Sequence, residues 1–221
     1  MLVQEIKELF QEVANAEDAK AMAAYMKNNF PFLGIKKPIR TEILKPYFLE
    51  IKKYSSEDIL EMAKEFWELP EREYQYTAIE LLVKAKRKWT PAYFDFFEYM
   101  LCDKSWWDSV DVIATKLIGE YVFQHRNKLE TRMKEYATDP YMWRRRTSII
   151  FQLFYREECN FELLFSNIIL NKKDPEFFIQ KAIGWSLRQI SEKHPDMVRD
   201  FVEEQELKGL AKREALRIVN G

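Results

Sequence analysis

Lys104-Ser105-Trp106-Trp107-Asp108-Ser109-Val110-Asp111 is the stretch on which the fold reading turns. Two adjacent tryptophans and two aspartates fill one short run. Ser105 can cap a helix, and Asp108, three residues on, favours the positive N-terminal end of one. In a helix that starts there, residues three and four apart share a face. Trp106, Val110, Ile113 and Leu117 then form an apolar stripe that reads as core. Trp107 and Asp111 form an i,i+4 pair on the neighbouring face. A carboxylate beside indole rings is partly desolvated. This second face is therefore either a surface for a ligand or a buried Asp serving a helix terminus or a lysine.

The same period of 3.6 residues extends in both directions. Upstream, amphipathic helices are expected over 2–14, 17–28 and 38–52, then from Ser55 to Leu69, over 71–87 and over 91–102. Downstream, the opening run continues to Phe123, followed by helices near 127–136, 140–155, 160–171, 174–191, 195–205 and 209–219. Pro91, Pro140, Pro175 and Pro195 each read as first-turn prolines, where a missing N–H is harmless. No window of alternating β-branched residues competes. About a dozen helices joined by short loops result. Helix pairs recur roughly every 35–45 residues, the range of HEAT-type repeats. The expected fold is all-α, a single domain over 1–221 with HEAT-like helical repeats stacked into a curved solenoid with a concave binding face. A compact helical bundle is the alternative.

Composition agrees. Hydrophobic residues make up 47% and charged residues 32%, which excludes disorder and suits amphipathic helices with solvated faces. Only 5 glycines occur, too few for the tight turns of an all-β fold. The net charge of -1 gives no bulk support for a nucleic-acid partner, so any such reading must rest on local clustering. Two cysteines, Cys102 and Cys159, without a CxxC, and two histidines, His125 and His194, make a zinc site improbable. The expectation is a cytoplasmic protein with reduced thiols and neither metal nor cofactor. The N-terminus does not read as a signal peptide, and no apolar run is long enough to span a bilayer.

Two further places depart from an apolar-in, polar-out pattern. In 177–190, Ile179, Ile183, Leu187 and Ile190 line up as core, while Trp185 lies off that stripe beside Phe178, Lys181 and Arg188. An indole among cations suits an anionic or planar partner; packing against a neighbouring helix is the plain alternative. In Trp143-Arg144-Arg145-Arg146, Arg146 is in line with Ile149, Ile150 and Leu153. Its guanidinium then needs a carboxylate or phosphate. Arg144 and Arg145 point elsewhere and read as solvated charge. Basic clusters at 84–88, 171–173 and 208–217 could form a phosphate-binding stripe. No P-loop, GxGxxG, GxSxG or HExxH occurs, which argues against phosphoryl-transfer, redox and metal-hydrolase chemistry.

Several stretches together resemble the AlkD-type DNA alkylation repair enzymes, which are HEAT-like-repeat DNA glycosylases. They are Tyr25-Met26-Lys27-Asn28 through Phe32-Leu33-Gly34-Ile35, Trp67 to Glu73, Lys104 to Asp111, Ile150 to Leu153, Phe177 to Arg188, and Lys212-Arg213-Glu214-Ala215. The likeness covers nearly the whole chain, and the KSWWDSVD and FFIQKAIGW runs are its specific marks. The resemblance implies hydrolysis of the N-glycosidic bond of positively charged N3- and N7-alkylated purines in duplex DNA, without base flipping and without a cofactor. It matches the catalytic aspartate to Asp111, the flanking tryptophans to Trp107 and Trp185, the active-site arginine to Arg146 and a contributing tyrosine to Tyr25. Lys27, Lys181, Arg188, Lys212 and Arg213 are then expected to contact DNA. Asp111 would face the developing sugar cation, and Arg146 would hold a backbone phosphate bidentately. The expected partner is double-stranded DNA carrying alkylated bases, met by a monomer away from any membrane. The competing reading is a non-catalytic helical-repeat module that binds DNA or a protein.

Overall fold

The computed structural model describes residues 2–219, and among them every regular element is helical. The helices are α1 (Leu2–Glu12), α2 (Ala16–Tyr25), α3 (Lys37–Glu50), α4 (Ser56–Glu68), α5 (Arg72–Lys84) and α6 (Pro91–Cys102). Helix α7 is composite: α-helical over Trp107–Val112, π-helical over Ile113–Ile118, and α-helical again over Gly119–Gln124. Then follow α8 (Arg126–Tyr136), α9 (Met142–Ile150), α10 (Phe161–Asn171), α11 (Phe177–Ser191), α12 (Pro195–Glu204) and α13 (Gly209–Ala215). None of these helices is long and apolar enough to cross a membrane.

Local chemistry sets the boundaries. Asn15 caps α2 by accepting the Glu17 and Asp18 N–H groups. Lys27 and Asn28, both left-handed (φ 59° and 57°), follow its end, so α2 stops short of 28. Ser55 and Asp58 form a reciprocal capping box on α4. Asn160 caps α10 through the Leu163 N–H at 3.1 Å. Pro91 and Pro195 open α6 and α12 as the sequence suggests. Pro140 and Pro175 do not: α9 starts at Met142 and α11 at Phe177, each after an extended residue. The helix expected over 140–155 ends at Ile150 and gives way to turns before Arg156, a residue with φ 54°.

The chain divides into two compact units, Met1–Phe96 and Phe97–Gly221. In the first, Phe10, Tyr74 and Phe66 stack in sequence, with centroids 5.6 and 6.4 Å apart. Fully buried Glu73 accepts the backbone N–H groups of Leu33, Gly34 and Ile35 at 3.0, 2.8 and 3.0 Å. Its neighbour Arg72, also fully buried, lies 3.8 Å over the Phe30 ring. These two buried charges pin the 30–35 loop onto the start of α5. Gly34 is required there: its φ is +85°, and a Cβ would lie 2.0 Å from the Asn15 carbonyl oxygen.

In the second unit, the spacing-derived stripe Ile179, Ile183, Leu187 and Ile190 is buried. It packs in one cluster with Ile149 and Ile150 of α9, Leu164 and Ile168 of α10, Val198, Phe201 and Val202 of α12, and Ala211 and Ala215 of α13. Helix α13 comes so close to α11 that a Cβ on Gly184 would lie 2.4 Å from the Glu214 Cβ and 3.1 Å from the Ala211 carbonyl oxygen. Gly184→Val is therefore expected to push α13 off. Overpacking of this kind costs about 1–3 kcal/mol, or roughly 2–12 °C in melting temperature for a chain of this size. Thermal unfolding followed by circular dichroism measures it, and an unchanged midpoint would show that the approach is not needed.

Candidate functional site

Asp111 and Arg146, 35 residues apart, meet through a two-pronged ion pair. Arg146 Nε donates to Asp111 Oδ1 at 2.8 Å and Nη2 donates to Oδ2 at 2.9 Å. Arg146 Nη1 donates to the Phe178 carbonyl at the start of α11. The guanidinium side chain is 4% exposed and the Asp111 side chain 19%. The helical phase that put Arg146 toward the core holds, and the required partner is a carboxylate. The expected bidentate grip on a phosphate is thus not the arrangement here: the fork that would make it is spent on Asp111. Each Asp111 oxygen keeps a second lone pair, and the carboxylate still reaches solvent.

Helix α7 holds Asp111 in an unusual backbone. Its core side carries Val110, Ile113, Ala114, Leu117 and Ile118, all fully buried. The π turn begins two residues after Asp111 and lets residues five apart share that face, as Ile113 and Ile118 do. Thr115 Oγ1 donates to the Asp111 carbonyl at 2.6 Å. At the far end of the turn, Gly119 lies where a Cβ would be 2.3 Å from the Phe151 carbonyl oxygen. Tyr155 Oη donates to the Gly119 carbonyl at 2.5 Å.

The start of α7 differs from expectation. Ser105 does not cap it: the capping position is Trp106, which makes no side-chain cap bond. Ser105 Oγ instead donates to the Leu101 carbonyl and accepts from Tyr141 Oη, at 2.7 and 2.8 Å. Trp106, half-buried, packs edge-on against Trp143 and Phe178, with centroids 6.0 and 5.3 Å away, and Phe178 lies 5.0 Å from Trp143. So Trp106 belongs to an aromatic cluster beside Arg146 rather than to the fully buried stripe of Val110, Ile113 and Leu117. Phe178 serves twice, its ring in that cluster and its carbonyl on Arg146. Its aromatic role could be guessed from the sequence, but a carbonyl contact leaves no residue-type signal. Trp107 is half-buried at the first helical position, four residues before Asp111 and so on the same face.

Trp185 is half-buried and packs against the α9–α13 core cluster. It falls seven residues after Phe178, so the two share one stripe of α11 about 10 Å apart along the axis. The cations beside it are occupied. Lys181 Nζ and Arg188 Nη1 donate to the two oxygens of Glu214 on α13, at 3.1 and 2.6 Å. The Lys181 hydrogen bond holds the Glu214 carboxyl below the usual range, outweighing the opposing effect of burial. Lys212 and Arg213, on the same short helix, are exposed. Glu214 is legible in the sequence only as part of a motif, because its partners lie 26 and 33 residues away.

Arg144 and Arg145 are ion-paired rather than simply solvated. Arg144 Nη1 donates to Asp139 at 2.9 Å, and Arg145 Nε and Nη2 both donate to Asp174 Oδ2 at 3.1 and 2.9 Å. Burial raises the Asp139 carboxyl, but the Tyr141 N–H and Arg144 outweigh it and hold the group below its ordinary value. Three consecutive arginines thus have three different aspartates. Tyr25 and Lys27 belong to the first unit, where the Tyr25 residue is 70% exposed at the end of α2. Cys102 and Cys159 are free thiols, and burial pushes Cys159 up to about 11. Among the described residues, no three His, Cys, Asp or Glu side chains are grouped to hold a metal ion.

An all-helical chain with a forked carboxylate beside half-buried indoles is the class that fold and site define together. The model of the DNA alkylation repair enzyme family matches residues 6–219, and this chain belongs to that family. A solved structure titled as a predicted DNA alkylation repair enzyme from Enterococcus faecalis is 36% identical, with a TM-score of 0.86 over 93% of this chain and 96% of that one. Two Streptococcus mutans structures, AlkD2 and smu.31, share the helical-repeat fold at 16% identity. Their TM-scores are 0.67 and 0.62, over all of this chain and 98% and 96% of theirs. None of the curated proteins matches the chain.

Proposed function

We propose that this protein is a DNA glycosylase that releases positively charged N3- and N7-alkylated purines from duplex DNA, acting as a cytoplasmic monomer. The reading is carried by one observation: Asp111 is held rigidly by the Arg146 fork, yet still reaches solvent on the face that it shares with Trp107. Family membership supports a repair role.

The chemistry fits these residue types. A purine alkylated at N3 or N7 carries a positive charge and leaves without protonation, so no strong general acid is required. As the C1′–N bond breaks, the sugar gains oxocarbenium character. A fixed carboxylate stabilises that charge more than it stabilises the neutral sugar of the ground state, and it can orient the attacking water. Arg146 is the positioning residue: it keeps the carboxylate aimed without touching DNA. Trp107 and Trp185 would lie against the cationic nucleotide, contributing about 0.5–2 kcal/mol each through cation–π attraction. A lesion stabilised in this way need not be flipped into a pocket, so adduct size is not limited by a cavity.

Incubation of the wild-type protein with methylated duplex DNA, followed by chromatography of the supernatant, tests the reading. Free 7-methylguanine and 3-methyladenine are expected. Retention of every methylated base in DNA that the protein nevertheless binds would assign it to the non-catalytic modules instead.

A further inference from the structure

Lys181, Trp185 and Arg188 stand at i, i+4 and i+7 of α11, one face of one helix. Both cations on that face converge on a single carboxylate, Glu214, whose side chain is 15% exposed. The convergence is built in. Gly184, on the same side of α11, has no side chain, and α13 closes over it until Glu214 sits between the two cations. Lys181 and Arg188 retain 39% and 24% exposure, so they border solvent rather than the core. A carboxylate bridging an ammonium and a guanidinium takes the same donors that a backbone phosphate would take.

We infer that Glu214 occupies an anion subsite beside Trp185 and withholds Lys181 and Arg188 from the phosphates of undamaged DNA. It thereby sets how selectively the protein binds. The inference rests on the glycosylase reading for its DNA partner. With Glu214 in place, the two cations and the carboxylate sum to one positive charge instead of two. Non-specific affinity follows the number of phosphates neutralised, so an enzyme that must leave undamaged DNA gains from a resident counter-ion. The exposed Lys212 and Arg213 on α13 stay available for electrostatic contact. Trp185, between the withheld cations, is left to act through its ring on the lesion, whose charge is positive rather than negative.

The test is equilibrium binding of an undamaged 25-base-pair duplex across 50–200 mM salt, with base release from methylated DNA measured alongside. Glu214→Gln should bind roughly tenfold more tightly at 50 mM salt. Its plot of log affinity against log salt should be steeper by about one to two, the contribution of one or two added phosphate contacts. Adding Lys181→Met and Arg188→Met to Glu214→Gln should return affinity and slope to wild-type values. Lys181→Met in the wild-type background leaves Glu214 paired with Arg188 and removes no phosphate contact, so the salt slope should stay at the wild-type value, a result that does not depend on Glu214→Gln folding well. Unchanged or weaker binding by Glu214→Gln would overturn the inference, as would a clearly shallower salt slope for Lys181→Met alone. If wild type and Glu214→Gln both fail to bind duplex DNA, the inference and the glycosylase reading fall together. Wild-type binding and base release with an indifferent Glu214→Gln removes the inference alone.

Discussion

Asp111→Asn is expected to slow release of 7-methylguanine by roughly 10²–10³-fold, the range seen when one preorganised electrostatic group is removed from an active site. The side chain keeps its shape and loses its charge, so the sugar cation meets an amide dipole instead of a carboxylate. The loss should fall on the single-turnover rate with saturating enzyme and leave DNA binding near wild type, because the missing interaction exists only in the transition state. The substitution also has a structural cost. Arg146 is 4% exposed and would face an amide that can accept at only one atom. Breaking a buried pair from one side costs about 3–5 kcal/mol, and the partial exposure of Asp111 places this pair toward the lower end. A melting point roughly 6–12 °C lower is expected. Assays at 20 °C therefore read the chemical defect on folded protein. Release at the wild-type rate would remove Asp111 from the mechanism.

Arg146→Lys is the second large effect. The charge survives, but the planar fork does not, and an ammonium cannot donate to both Asp111 oxygens and to the Phe178 carbonyl in the observed geometry. The Asp111 carboxylate should lose its fixed aim, and base release should fall by about 10–100-fold, in the way that small misplacements of reacting groups do. The start of α11 loses an anchor at the same time, which loosens the packing of Phe178 on Trp106 and Trp143. If Arg146 instead gripped a phosphate, the same substitution would weaken DNA binding through loss of the bidentate contact, with its salt dependence nearly kept because the charge survives, and chemistry at saturating enzyme unchanged. Single-turnover rates and binding curves separate the two.

Much of the fold is legible in spacing. The Ile179–Ile190 stripe, the Val110–Leu117 stripe and the core-facing phase of Arg146 all follow from a period of 3.6 residues, and all are buried. The π turn is not legible, because Ile113-Ala114-Thr115-Lys116-Leu117-Ile118 has an ordinary helical composition. At its far end Gly119 closes against the Phe151 carbonyl, a tertiary contact that spacing does not reveal either. Nor do Pro140 and Pro175 reveal that their helices begin two residues later, since proline also suits the extended residues before a helix. At the site, the sequence shows that Arg146 needs an anion but cannot choose between a carboxylate 35 positions away and a phosphate outside the chain. The counter-ions Glu214, Asp139 and Asp174 are hidden for the same reason: surface acids are common, and only the packing of helices selects which ones meet a cation.

The central claim, that Arg146 acts through Asp111 and not on the DNA, is tested most directly by a double-mutant cycle on base release. Single-turnover rates of 7-methylguanine release are compared for wild type, Asp111→Asn, Arg146→Lys and the double variant. If the arginine works only by holding the carboxylate, the double variant is no slower than Asp111→Asn alone, and the two effects are strongly non-additive. Multiplying slowdowns, with the double variant a further 10–100-fold below Asp111→Asn, would show that Arg146 contributes independently and would contradict the account.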